Sequence, residues 1–138
     1  MWPIETARPD DREFIRDSWR KSYRESPRTC RWPTEAYAVW ISAEMDRLLQ
    51  RSEVRVARPG DWPEGIVGWV AAEQQPEAFV VHYAFVKPLF RRHGVLTRLV
   101  ESFGPEGALV FSALRPPFSN YLKQRGFAWE PRAASFPR

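Results

Sequence analysis

The stretch FVKPLFRRHGVL, residues 85–96, combines the residue types and spacing of an anion-binding turn. An apolar strand runs into Lys-Pro, and Arg91, Arg92 and His93 then precede Gly94, where a helical pattern begins. The start of a helix presents unpaired N–H groups and partial positive charge, and arginines add donors that suit phosphate. The spacing therefore predicts a phosphate-binding strand–loop–helix. An ordinary strand-to-helix turn with solvated arginines is the alternative.

A second group mixes cations with aromatic rings near the N-terminus. It includes Trp19, Tyr23, Arg24 and, after a polar loop, Trp32. Aromatic stacking together with arginine contacts suits bases and phosphates. Helical spacing equally allows Trp19 and Tyr23 to face the core while the arginines face water. The residues alone leave both readings open.

Other reactive groups are sparse. Cys30 is the single cysteine, which excludes an internal disulfide and is typical of a reducing cytoplasm. With only two histidines, the chain lacks the ligand spacing of a common zinc cluster. The sequence contains neither a Walker-type loop nor a pair of catalytic carboxylates. These absences remove several classes of hydrolase and metalloenzyme.

Two helices are predicted before most of the strands. Residues 11–24 and a stretch from Thr34 repeat apolar side chains at helical spacing. Asp10 and Glu13 stand in the positions of a capping box ahead of the first helix. A short strand at 4–7 precedes both helices. The cation–aromatic group therefore lies on the first helix and the loop behind it.

The rest of the chain alternates strands with short helices. Residues 54–57, 66–73 and 79–86 predict strands, and the last two are apolar on both faces, as in central strands. The remaining elements are a helix over 95–103, a strand over 108–114, a short helix after Pro116-Pro117 and a strand over 127–130. The order β-α-α-β-β-β-α-β-α-β predicts an α/β fold with a mixed sheet and helices on both faces. Residues 1–138 are predicted to form one domain.

Composition and charge limit the cellular location and the kinds of partner that the sequence suggests. The hydrophobic content of 43% argues against disorder, and no apolar run approaches the roughly 20 residues that span a bilayer. We expect a cytoplasmic protein without membrane contact, since the first fourteen residues also lack the apolar centre of a signal peptide. A net charge of +4 favours a phosphate-bearing partner, namely nucleic acid, a nucleotide cofactor or an anionic substrate. The seven tryptophans leave a homodimer open.

Two motifs resemble those of one protein family. VKPLFRRHGV at 86–95 resembles the acetyl-CoA-binding signature of the GNAT (Gcn5-related N-acetyltransferase) superfamily, in which a strand ending V-x-P leads to R-x-x-G-x-G/A and an amphipathic helix. YLKQRGF at 121–127 is similar to the family's closing helix and its Gly-Phe strand entry. The predicted order of elements also matches that family, so the resemblance covers nearly the whole chain.

The resemblance implies an acyl-CoA-dependent N-acyltransferase. Acetyl-CoA, or another acyl-CoA, would be the donor, and a small-molecule or macromolecular amine would attack it directly. In the family the pantetheine arm pairs with the end of a central strand, and the pyrophosphate lies on the loop and helix that follow. The residues that the resemblance assigns to the cofactor are Ala84, Phe85, Val86, Arg91, Arg92, His93, Gly94, Val95 and Leu96.

Catalytic candidates follow from the same resemblance. A Glu or His on the central strands is the usual proton acceptor, which indicates His82, predicted to share a strand face with Ala84 and Val86, or Glu73. A satisfied core histidine and a solvated strand-end carboxylate are the structural alternatives. Tyr121 is the candidate acid for the leaving thiolate, or else a core residue. It stands one position ahead of the family's tyrosine slot, a rotation of about 100° on a helix.

The family's first helix and the loop after it form one wall of the acceptor site. Trp19, Tyr23, Arg24 and Trp32 are therefore the predicted acceptor contacts. Leu96, where the family has Gly or Ala, and the shifted tyrosine keep two other functions open. One is a catalytically inactive GNAT-fold binding or regulatory module that contacts nucleic acid or a protein. The other is a GNAT-type enzyme that modifies a nucleobase or nucleic acid.

Overall fold

The fold centres on one six-stranded sheet, seen in a computed structural model that describes residues 2–135. The strands are β1 (Ile4–Thr6), β2 (Glu53–Ala57), β3 (Gly68–Gln74), β4 (Ala78–Val86), β5 (Ala108–Phe111) and β6 (Ala128–Trp129). They lie side by side in chain order, antiparallel from β1 to β4 and parallel from β4 to β6. The predicted α/β class with a mixed sheet is confirmed.

Helices cover both faces of this sheet, as predicted. They are α1 (Arg12–Tyr23), α2 (Thr34–Arg51), α3 (Val95–Glu101) and α4 (Phe118–Gln124). Trp19 of α1 packs against Trp69 of β3. Arg55 is paired with Val70, the next residue of β3, and its guanidinium lies over the ring of Phe103 just after α3. Because side chains alternate along a strand, α1 and α3 lie on opposite faces.

The core on the α1 face is an aromatic cluster. Trp19 is 1% exposed and its ring stacks on Tyr83 at 5.2 Å, while Phe118 of α4 meets Tyr83 edge-on at 4.9 Å. Rings of this size bury more apolar surface than any other side chains, and replacing one with alanine costs roughly 3–5 kcal/mol. This cluster holds α1 and α4 against β4.

The start of α1 differs from the prediction. Asp11, rather than the predicted pair of Asp10 and Glu13, receives the backbone N–H, which Arg8 donates to its Oδ2 over 2.7 Å. Arg58 also donates to that carboxylate, over 2.5 Å. Arg58 is 47 residues away in the chain, so local sequence carried no sign of this partner.

An extra residue interrupts the pairing of β3 with β4. Ala71 is paired with Tyr83 and Ala72 with Val81, so His82 has no opposite residue. A β-bulge of this kind bends the strand and changes the side-chain alternation. The bulge lies just before the part of β4 that faces the candidate site.

The bulge corrects the predicted orientation of His82. Tyr83 and Phe85 both pack against α1, so Ala84 between them faces the other way. His82 is hydrogen-bonded to a carboxylate that pairs with α2, so it lies on the α1–α2 face. The expectation that His82 shares a face with Ala84 and Val86 is therefore wrong, because a bulge was not visible in the apolar pattern.

Strands β5 and β6 are two or three residues shorter than predicted, and β1 and β3 are one residue shorter. β5 ends at Phe111 instead of 114, and β6 is limited to Ala128–Trp129. Within residues 2–135 no helix has both the length and the apolar character needed to span a bilayer. Over the same range no cluster of three or more His, Cys, Asp or Glu side chains is arranged to bind a metal ion.

Candidate active site

A pocket of about 510 Å³ opens where β4 and β5 separate. The two strands are paired only from Ala78 to Val81, and the last bond runs from the Ser112 N–H to the Val81 carbonyl over 3.1 Å. Residues 83–86 of β4 pair with β3 on one side and with no strand on the other. The sheet thus offers an unpaired backbone edge to the pocket.

The pocket runs along this edge, with an arginine at each end. At one end Arg91 Nε donates to the Val86 carbonyl over 2.9 Å. At the other, Arg115 Nε donates to the Ser22 carbonyl over 2.7 Å. The Ser22 hydroxyl lies 2.7 Å from that of Tyr83. The remaining walls are residues 90–92 and 94–97 and five positions from Pro117 to Gln124.

Backbone direction shows which groups of β4 face the pocket. The Lys87 N–H donates to the Val67 carbonyl on the β3 side over 2.9 Å. Backbone groups alternate sides along a strand, so those of Ala84 and Val86 point to the pocket and those of Phe85 to β3. An extended ligand could therefore pair with the N–H and carbonyl of Ala84 and the N–H of Val86, whereas the Val86 carbonyl already accepts from Arg91.

The loop before α3 has two residues in the left-handed region. Arg92 has φ of 66° and Gly94 has φ of 80°. A Cβ on Gly94 would meet nothing within 4 Å, so the backbone angle, and not lack of space, favours glycine. Gly94 is followed directly by the first helical residue, and a left-handed residue before a right-handed one turns neighbouring N–H groups to the same side, an arrangement that suits anions. Arg91, Arg92 and Gly94 all line the pocket, so this turn faces it.

The other predicted cofactor residues take different places. Val95 and Leu96 line the pocket, although Val95 is only 2% exposed and contributes mainly to the core. Leu96 forms part of the wall without filling the space. The ring of His93 packs on Trp2 with 6.2 Å between centroids and does not line the pocket. His93 is thus next to the anion-binding turn and outside the cavity itself.

Tyr121 lines the pocket with an unsatisfied hydroxyl. The hydroxyl oxygen is buried and has no hydrogen-bond partner among the described residues, while the Arg125 guanidinium lies 5.1 Å from the ring centre. A buried hydroxyl without a partner costs roughly 1–3 kcal/mol, so such groups are rare and commonly functional. The structure therefore keeps Tyr121 available to a ligand.

His82 and Glu73 form a closed network away from the pocket. His82 is fully buried, with Nε2 2.7 Å from Glu73 Oε2 and Nδ1 2.7 Å from the Ser112 hydroxyl. Arg51 and Gln75 donate to the same carboxylate over 3.1 Å. None of these five side chains lines the pocket. The predicted proton-relay residues are brought together, but with each other and not with the cofactor residues.

Electrostatics keep Glu73 ionised. Burial raises the pKa of Glu73, but hydrogen bonds from His82, Gln75 and Arg51 outweigh burial and lower it to about 2. An ionised carboxylate only accepts hydrogen bonds, so His82 donates through Nε2. Nδ1 of the same ring is hydrogen-bonded to the Ser112 hydroxyl, which can either donate or accept. The network is fully satisfied, as a structural buried network must be.

The predicted acceptor contacts lie beside the pocket. Trp19 and Tyr23 are buried in the core at 1% and 6% exposure, and burial raises the pKa of Tyr23. Arg24 donates to the Thr29 and Trp32 carbonyls over 2.9 and 2.6 Å, and Trp32 packs edge-on against another tryptophan. None of the four lines the pocket, because helical spacing turns Trp19 and Tyr23 toward the core, while Arg24 and Trp32 contact each other in the loop after α1.

Half of the residues that line the pocket were not predicted, and two of them, Ser22 and Arg115, form one end of it. Ser22 stands on the predicted helix next to Tyr23, and the small polar residue on a partly apolar face was the available signal. No sequence signal indicated Arg115. It precedes Pro116-Pro117 in an irregular segment, and it contacts Ser22 only in the folded chain. Both lie at the end of the pocket away from Arg91.

Neither the family models nor the curated proteins that were compared match this sequence. Solved structures do match its fold. A histone acetyltransferase HPA2 and related acetyltransferase from Corynebacterium glutamicum aligns with a TM-score of 0.65 at 15% identity, over 91% of this chain and 83% of the other. A ribosomal-protein-alanine N-acetyltransferase from Brucella melitensis aligns with a TM-score of 0.61 at 18% identity, over 94% and 93%.

A third similar structure contains a ligand. The PaiA N-acetyltransferase from Thermoplasma acidophilum, solved in complex with coenzyme A, aligns with a TM-score of 0.53 at 13% identity, over 75% of this chain and 70% of the other. The chain therefore has the same α/β architecture as these acetyltransferases. More narrowly, its fold is the GNAT fold, which confirms the resemblance in the sequence.

Proposed function

We propose that this protein is an acyl-CoA-dependent N-acyltransferase, with acetyl-CoA as the most favoured donor and an amine as acceptor. Residues 1–138 form the single GNAT-like domain of this proposal. The observation that carries it is the pocket between β4 and β5, which combines an unpaired strand edge, an arginine-bearing turn and the unsatisfied Tyr121 hydroxyl.

The residues of the pocket fit the chemical parts of an acyl-CoA. Its pantetheine arm is extended and carries amides, which match the outward backbone groups of Ala84 and Val86. Its diphosphate is an anion, which matches the side chains of Arg91 and Arg92 and the left-handed turn at Gly94. The similar structure from Thermoplasma acidophilum, with coenzyme A bound, gives support at the level of the fold.

An acyl-CoA supplies an acyl group activated as a thioester. The backbone N–H groups of Ala84 and Val86 offer preorganised donors for a carbonyl oxygen that gains charge during the reaction. The Tyr121 hydroxyl holds a proton at Oη that no other described side chain shares, and it can donate that proton to the sulfur that leaves. Loss of that proton transfer would slow the reaction without preventing binding.

The pocket lacks a side chain suited to remove a proton from the acceptor. Its charged lining residues within 2–135 are arginines, and His82 and Glu73 are enclosed behind the strand. We therefore assign His82 and Glu73 a positioning role, since they hold the bulge beside the point where β4 and β5 separate. The acceptor enters as the free amine or loses its proton to water.

Titration calorimetry with acetyl-CoA tests the donor site, followed by assays of thiol release with a panel of amines. Binding should stabilise the protein by roughly 2.7 kcal/mol at a hundredfold excess over Kd, which a thermal shift detects. Heat of binding with thiol release supports the proposal. Absence of binding at millimolar acetyl-CoA rejects the donor site.

A second candidate is a GNAT-fold binding module without catalysis. The observation in its favour is the absence of a pocket base within the described residues, together with Leu96 in the wall. Acetyl-CoA binding without thiol release for any amine would favour it. Salt-sensitive retention on RNA or DNA would identify a nucleic-acid partner, and acylation of that nucleic acid would identify the nucleobase-modifying variant.

A further inference from the structure

The charges along the pocket are all of one sign. Arg91, Arg92 and Arg115 line it, and no aspartate or glutamate does so among residues 2–135. Arg91 and Arg92 belong to the turn that the proposed function gives to the diphosphate of the donor. Arg115 lies at the opposite end, beside Ser22 and Tyr83. Of the three arginines, Arg115 alone is not assigned to the donor, so its charge is the one that an acceptor could contact.

The position of Arg115 is fixed, but its charge is weakly paired. Nε donates to the Ser22 carbonyl over 2.7 Å, and Nη1 donates to the Pro116 carbonyl. Its one carboxylate partner in residues 2–135 is Glu25, 3.4 Å from Nη2, whose side chain is 76% exposed. Exposed ion pairs of this length contribute little. A guanidinium has five N–H donors, so Arg115 retains donors for a ligand.

This arrangement disfavours acceptors with several positive charges. A polyamine would place a second ammonium in a pocket lined by arginines and without a carboxylate, and repulsion between like charges reduces affinity. An acceptor with an anionic group would instead replace Glu25 as the partner of Arg115. Charge-assisted bonds to a guanidinium are both strong and directional.

We propose that the acceptor is an amine that also carries an anionic group, a carboxylate or a phosphate, and that Arg115 is the residue that recognises this group. The proposal rests on the proposed acyltransferase function. It adds a class of substrate and a specificity-determining residue at the acceptor end of the pocket.

Matched pairs of amines test the proposal, with thiol release from acetyl-CoA as the readout. L-phenylalanine is compared with L-phenylalaninamide, and O-phosphoethanolamine with ethanolamine, with spermidine as the polycation. The amide has the less basic and more available amine, so a preference for the acid has to come from recognition. We expect kcat/KM to favour the anionic member of at least one pair by roughly tenfold or more. The pair that responds identifies carboxylate or phosphate as the anion.

Arg115→Gln should reduce that preference by roughly tenfold to a hundredfold, and Arg115→Lys should retain part of it. Arg98→Gln is the matched control, since Arg98 is an exposed arginine of α3 outside the pocket. A purely structural Arg115 would lower kcat/KM for both members of a pair equally and leave their ratio unchanged, which would overturn the proposal.

Glu25→Gln provides a test that does not depend on the folding of an Arg115 variant. Removing the competing carboxylate should raise kcat/KM for the anionic member two- to threefold and leave the neutral member unchanged. Equal effects on both members, or a preference for spermidine or the neutral amines, would reject the proposal while the acyltransferase function stood.

Calorimetric titration with both members of each pair, with and without saturating CoA, separates the two proposals. Failure to bind acetyl-CoA rejects the donor site alone, because preferential binding of the anionic amine still measures recognition by Arg115. Equal or absent binding of the anionic and neutral members rejects the acceptor proposal.

Discussion

The hydroxyl of Tyr121 is the observation on which its proposed role as a proton donor rests. Tyr37 gives the contrast, because its buried hydroxyl donates to the Arg20 carbonyl over 2.5 Å and burial raises its pKa to about 12. Tyr121 has no such partner among the described residues and lines the pocket. Ser52 also has a buried hydroxyl without a partner, so the position of Tyr121 in the pocket, together with its unsatisfied hydroxyl, supports the proposed role.

Tyr121→Phe should lower kcat by roughly a hundredfold while leaving the Kd for acetyl-CoA nearly unchanged, since the variant loses a proton donor and keeps the ring. Its melting temperature should not fall, because no hydrogen bond is removed. Steady-state kinetics, calorimetry and thermal unfolding measure the three quantities.

Tyr37→Phe is the matched control for that variant. It removes a satisfied hydroxyl outside the pocket, so stability should fall by about 1 kcal/mol while kcat stays unchanged. If Tyr121→Phe keeps full kcat, or behaves like Tyr37→Phe, Tyr121 is a core residue and the proton-donor assignment is wrong.

At the scale of elements, the turn between β4 and α3 and the separation of β4 from β5 act together. The turn brings Arg91 back onto the last carbonyl of β4, so the anion-binding groups meet the unpaired strand edge. Each part alone is common in α/β proteins. Their adjacency is what suits a long ligand with an extended arm and a diphosphate.

Replacing both Arg91 and Arg92 with alanine should weaken acetyl-CoA binding by roughly tenfold to a hundredfold, because two charged donors to the diphosphate are lost. The fold should persist, since both side chains are exposed. Calorimetry gives the affinity and thermal unfolding checks the fold. Arg12→Ala, an exposed arginine outside this pocket, should bind as the parent does. Unchanged affinity in the double variant would place the diphosphate elsewhere.

At the scale of the whole molecule, the network around Glu73 ties distant parts of the chain together. It joins Glu73 on β3, His82 on β4, Ser112 after β5 and Arg51 at the end of α2. Because it is buried and satisfied, we expect it to act on stability and on the position of the bulge. Substitutions in this network should therefore lower the free energy of unfolding more than they lower kcat.

Stability should therefore depend on pH through Glu73. Its pKa is lowered from 4.5 to about 2 in the folded protein, so the stabilisation is complete above pH 4.5 and is lost as pH falls toward 2. The shift corresponds to roughly 3 kcal/mol, which solvent screening reduces to about 2. Urea unfolding between pH 2 and pH 6 measures it.

Glu73→Gln should remove that part of the pH dependence, because a neutral amide does not titrate. Glu35→Gln, at an exposed site on α2, is the matched control and should keep the slope of the parent. Parallel curves for the parent and Glu73→Gln would show that the network does not stabilise the ionised carboxylate.

Local pattern was enough for the elements and for half of the site. Helical and alternating periodicity predicted the order of strands and helices, because core-facing side chains repeat at intervals that neighbouring residues reveal. The R-x-x-G turn from Arg91 to Gly94 was visible for the same reason, since a turn and the helix after it are encoded by adjacent residues. The strand ends and the start of α1 were less accurate, since partners such as Arg58 for Asp11 come from far along the chain.

Only the tertiary structure shows which of the predicted site residues lie close together. The bulge at His82 arises from the pairing of two strands, and His82 and Glu73 bond each other outside the pocket, with Ser112, 30 residues from His82, as a further partner. Arg115 reaches Ser22 across 93 residues, so this end of the pocket exists only in the folded chain. Periodicity reports which side of an element is apolar, whereas register, strand separation and an unpaired hydroxyl arise from contacts between elements.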